Sequence, residues 1–92
     1  MKGAMKDAEE ARLLSLLDAS HKWPSIYPFK FIVPVAKAKE LETIMKDAER
    51  TETRPSAEGR YMAYTFHCAM GSAREVLEVY AKVKGITGLV SL

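Results

Sequence analysis

From Met62 to Met70 the chain alternates with a period of two. Met62, Tyr64, Phe66, Cys68 and Met70 fall on one side, and Tyr61, Ala63, Thr65, His67 and Ala69 on the other. Successive side chains of a strand point to opposite faces, so this pattern predicts a strand with one buried face. Ser56-Ala57-Glu58-Gly59 supplies the reversal before it, with Gly59 placed where a positive φ costs least. A second alternating run, Ile26 to Val35, sets Tyr27, Phe29, Phe31, Val33 and Val35 against Pro28, Lys30, Ile32 and Pro34. Prolines cannot donate to a ladder, so those in this strand are expected to mark where pairing begins and stops.

Elsewhere the period lengthens to that of a helix. Asp7 to about Ala19 is rich in helix-favouring residues, and Ala11, Leu13, Leu14, Leu16 and Leu17 form a broad apolar stripe. Pro24 prevents that helix from continuing, and Trp23 is expected to cover an edge of the core. Leu41, Ile44, Met45 and Ala48 predict an amphipathic helix over about Lys37 to Ala48, with Lys39, Glu40, Glu42, Lys46 and Asp47 in solvent. Glu49 to Arg54 is polar and fits only an edge strand. Ser72 and Glu75 form a capping box in which each bonds the other's backbone. A third helix runs from there to about Lys84, with Val76, Val79, Tyr80 and Val83 inward and Gly85 as its left-handed terminator. Gly88 to Leu92 closes the chain as a short strand.

The order after the leading helix is β-α-β-β-α-β. Right-handed crossovers put both helices on one face of a four-stranded antiparallel sheet. The expectation is an α+β ferredoxin-like plait preceded by an extra N-terminal helix. Residues 1–25 form the helix and linker, and 26–92 the plait. Strands one and three lie centrally and the polar second strand at an edge.

Ninety-two residues suffice for one modest core. A net charge of +2 is too small for a polyanion binder. A lone cysteine, Cys68, makes no internal disulfide, and the N-terminal segment is charged where a secretory leader is apolar. No apolar run approaches a membrane span. The expected location is the cytoplasm.

No catalytic constellation emerges, and no enzyme activity, metal or cofactor is expected. His67 and Cys68 are adjacent on a strand and face opposite ways. RNA binding through the open sheet face needs stacking aromatics there. In this register that face offers only Tyr61, while Tyr64 and Phe66 point inward. Slipping the strand by one residue would expose them but bury Arg60 and His67. The candidate ligand site is the basic corner of Arg54, Ser56, Arg60 and Tyr61 with Lys30, which suits a carboxylate or phosphate. The competing reading is that Pro55, Ser56 and Gly59 only make the turn.

Pro28, Phe29 and Lys30 in YPFKFIV, then Arg54, Pro55, Ser56, Gly59 and Tyr61 in RPSAEGRY, and the closing LVSL resemble the YbeD-like family of small uncharacterised bacterial proteins. The resemblance covers about Tyr27 to Leu92, and the Arg-Pro-Ser-x-x-Gly-x-Tyr turn is its most specific part. The link after the first strand is shorter than in that family and the leading helix longer. The resemblance implies a ferredoxin-like fold similar to the ACT regulatory domains of amino-acid enzymes, with no established activity and no catalytic residues. The expected function is a binding or regulatory module that senses a small anionic metabolite, with homodimer formation through sheet edges or helices. The alternative is an adaptor that regulates an enzyme through protein contact, without ligand.

Overall fold

The computed structural model describes residues 2–92, with side chains from Ala8 onward. Its elements are α1 (Lys2–Ser20), β1 (Ser25–Pro34), a single 3-10 turn (Val35–Lys37), α2 (Ala38–Ile44), β2 (Arg50–Pro55), β3 (Tyr61–Met70), α3 (Ala73–Val83) and β4 (Val90–Ser91). The four strands form one sheet in the order β2-β3-β1-β4, with every neighbouring pair antiparallel. The two alternating runs are thus the central strands, and the polar strand is an edge with every residue exposed.

Alternation decides which face is buried. Phe29, Phe31 and Val33 of β1 and Tyr64, Phe66 and Cys68 of β3 meet Leu41 and Met45 from the α2 side and Val76 and Val83 of α3. Tyr64 and Phe66 stack with centroids 5.1 Å apart, and Tyr80 of α3 meets Phe29 edge-on at 5.3 Å. No polar or charged residue is fully buried among those described. The core is therefore held by area and packing, and its large apolar residues dominate the stability.

Outside this core, α1 lies along α3, with Arg74 Nη1 3.4 Å from Glu10 Oε1. Leu17 and Trp23 pack against the core cluster, and the Trp23 indole N–H donates to Asp18 at 2.8 Å. Of the predicted stripe, Leu16 is exposed, and Leu13, also exposed, lines a groove with Leu77, Tyr80 and Ala81 of α3.

Four local expectations are corrected. The helix expected over Lys37 to Ala48 is regular only to Ile44; Met45 leaves it at φ −98° and ψ 24°. The chain must unwind there so that the Glu49 N–H can reach the His67 carbonyl at 2.8 Å and start β2. Gly85 does not terminate α3: the left-handed glycines are Gly59 (φ 74°) and Gly88 (φ 81°). The segment after Val83 first buries Ile86, whose N–H returns to the Val83 carbonyl, before Gly88 turns the chain into β4. Ser72 caps α3 by accepting from the Glu75 N–H at 3.3 Å, but Glu75 accepts from the Gly71 N–H at 2.8 Å, one residue earlier than the reciprocal box requires.

Pro28 does not mark the start of pairing either, because β1 pairs with β3 from Ser25 to Pro34. The Lys30 carbonyl accepts from the Leu92 N–H, so the even residues of β1 present their backbone groups to the β4 side. Pro28 lies beyond the end of β4, and its missing N–H costs no ladder bond.

Candidate functional site

The open face of the sheet is a grid fixed by register. Its rows are Pro28–His67–Arg50, Lys30–Thr65–Glu52, Ile32–Ala63–Arg54 and Pro34–Tyr61, read from β1 through β3 toward β2. Lys30 and Arg54 flank the small residues Thr65 and Ala63, two strands and one row apart. Sheet spacing sets their Cα atoms roughly 12 Å apart. A shallow concavity of about 490 Å³ is lined by Lys30, Glu52, Thr53, Arg54, Ala63 and Thr65. An adjoining one of about 220 Å³ is lined by Ile32, Arg54, Pro55, Ser56, Tyr61 and Ala63. Arg54 stands between the two.

Electrostatics within the grid are asymmetric. Arg50 donates to the Glu52 carboxylate, and His67 Nε2 lies 3.2 Å from its other oxygen. The Arg50 bond, and after it the His67 bond, lower the Glu52 carboxyl below its ordinary pKa. Glu52 is thus committed to two neighbours. Lys30 and Arg54 make no ion pair with any described residue. Two exposed cations over a floor of small side chains can hold a carboxylate or phosphate by charge-assisted hydrogen bonds, with Thr65 as a hydroxyl partner.

The hairpin divides the remaining candidates. The Ser56 N–H bonds the Tyr61 carbonyl at 2.9 Å, the Gly59 N–H bonds the Ser56 carbonyl at 3.0 Å, and the Tyr61 N–H donates to Ser56 Oγ at 3.1 Å. Ser56 therefore builds the turn, while its side chain also borders the smaller concavity. Tyr61 is 45% exposed on the open face. Arg60 sits in the turn, 3.8 Å from Glu58, both side chains 79% exposed. It lines neither concavity. Four of the five sequence candidates thus share a face, and Arg60 stands apart.

The Arg50–Glu52–His67 group was not visible in sequence. Its signal was the alternation of charges in RTETR, which acquires meaning only once β2 is registered against β3. On the other face the Tyr64 hydroxyl donates to the Glu42 carboxylate, and burial, with that bond second, pushes the phenol up to about 12. Cys68 is buried, and burial, then the nearby Asp47 and Glu49 charges, raise its thiol. A neutral thiol in an apolar setting is a poor nucleophile. Among the described residues no His, Cys, Asp and Glu side chains cluster as a metal site. No described helix is long and apolar enough to cross a membrane.

A protein-family model described as a protein of unknown function, DUF493, matches residues 18–91. The match takes in the whole sheet, α2, α3 and every residue of the open-face grid. No curated protein and no solved structure matches the chain.

Proposed function

The chain belongs to the DUF493 family of unknown function, and from that premise we propose a non-catalytic binding or regulatory module whose open sheet face holds a small anionic metabolite. The observation that carries the reading is the pair Lys30 and Arg54, which make no ion pair with any described residue and border one concavity with Thr65 and Ala63. Glu52, the acidic residue in that concavity, is already engaged by Arg50 and His67. We read the architecture as the ferredoxin-like plait, supported by the strand order β2-β3-β1-β4 and a core shared by α2 and α3 on one face. The YbeD-like resemblance agrees with membership of an uncharacterised family, and the residues of its strand and turn motifs, from Pro28 to Tyr61, fall inside the matched segment. Regulation of the ACT kind in the cytoplasm is the analogy that this fold suggests, and one fold hosts many functions.

The adaptor reading is favoured by a different observation: Leu13 and Leu16 of α1 are 44% and 59% exposed. Native mass spectrometry of the gently purified protein separates the two. A small-molecule mass that disappears in Lys30→Gln/Arg54→Gln and persists in Arg60→Gln supports the anion site. A protein complex lost on Leu13→Ser/Leu16→Ser, with no small molecule bound, supports the adaptor and counts against the sensor.

A further inference from the structure

The helix side of the sheet carries a separate cavity, unrelated to the basic grid. Where α2 has ended and β3 runs out beside α3, a cleft of about 190 Å³ opens between Met45, Cys68, Met70 and Val79. Its floor is apolar, since Met45 and Cys68 are almost wholly buried and Met70 and Val79 belong to the same packed cluster. Its rim bears three charges, Asp47, Glu49 and Lys82. None of the three makes an ion pair with a described residue. Pockets for drug-sized ligands are about 300–1,000 Å³, so this one suits a ligand of only a few heavy atoms.

We propose that this cleft is a binding site for a small aliphatic amine, with the hydrocarbon chain among Met45, Met70 and Val79 and the ammonium group at Asp47 and Glu49. Two carboxylates against one ammonium make the mouth net acidic. The same two carboxylates act on the thiol at the floor, which places their field over the cavity itself. That thiol stays neutral at ordinary pH, so the floor remains free of charge for an alkyl chain. Lys82 is exposed and has a flexible stem, so its head can turn to solvent when a cation enters. The two unbranched thioethers adapt readily to a chain of varying length.

The test is an NMR titration of the full chain at neutral pH with hexylamine and, separately, hexanoate. Hexylamine is expected to give saturable amide shifts at Ala48, Met70 and Val79 and to slow reaction of Cys68 with a thiol reagent. Hexanoate binds more weakly. Asp47→Asn with Glu49→Gln weakens the amine by roughly two- to five-fold, the range set by exposed ion pairs. Val79→Phe fills the cleft and abolishes the shifts. If that variant disturbs the fold, the protection of Cys68 in the unaltered protein decides. Hexanoate binding as tightly as hexylamine, or amine binding with Cys68 unprotected, overturns the assignment. So does the absence of saturable shifts with hexylamine.

Discussion

At the scale of the residue, stability rests on the side chains that the two central strands turn inward. Phe29, Phe31, Tyr64 and Phe66 fall inside because a strand alternates, whatever it pairs with. Phe31→Ala empties a fully buried site and is expected to cost about 3–5 kcal/mol in urea unfolding. Tyr64 is less ordinary, because its ring is buried while its hydroxyl reaches Glu42. Its pKa is raised to about 12 from 10 in the folded chain. The folded state thus holds this proton more tightly than the unfolded state does. The associated stability is complete below pH 10 and is lost as pH rises toward 12. Unfolding followed from pH 8 to 12 should show this decline, and Tyr64→Phe should lessen it. Tyr80, raised by burial and its bond to Tyr27, adds a loss of the same sign that begins near the same pH and extends further into alkali. Arg60 shows where alternation stops being informative. It lies in the turn, so its direction is set by hairpin geometry, and it lines neither concavity of the open face.

At the scale of the element, helix and strand identities were legible and their ends less so. A helix ends where the next element needs the chain, and Met45 turns out of α2 so that Glu49 can pair with His67. No local signal in the sequence announces that demand. Gly85 and Gly88 illustrate the same limit: both are glycines after a helix, and only packing tells them apart. A Cβ on Gly88 would lie 2.7 Å from Pro34 Cγ in a backbone already at φ 81°, whereas Gly85 has open space. Gly59 has the positive φ but no close neighbour. Three alanine variants should therefore rank Gly88 as most damaging, Gly59 next at about 1–2 kcal/mol, and Gly85 as mild or neutral in thermal unfolding. The cap of α3 gives a further check. Ser72→Ala removes the acceptor for the Glu75 N–H and is expected to cost about 0.5–2 kcal/mol.

At the scale of the whole molecule, the order of elements and the central place of β1 and β3 followed from which strands alternate and which is polar. The two faces then acquire different chemistries. The helix face is spent on the core, and the open face is left with a register-built grid in which Glu52 is paired while Lys30 and Arg54 have no ion-pair partner among the described residues. That grid was only half legible, because side-chain direction comes from alternation but neighbours across strands come from the hairpin. The measurement that tests it most directly is a titration of the full chain with inorganic phosphate, followed by amide NMR at low ionic strength. Saturable shifts at Lys30, Arg54, Ala63 and Thr65 are expected. They should be lost in Lys30→Gln/Arg54→Gln and unchanged in Arg60→Gln. Shifts that survive the double substitution, or that vanish with Arg60, would contradict an anion site on the open face.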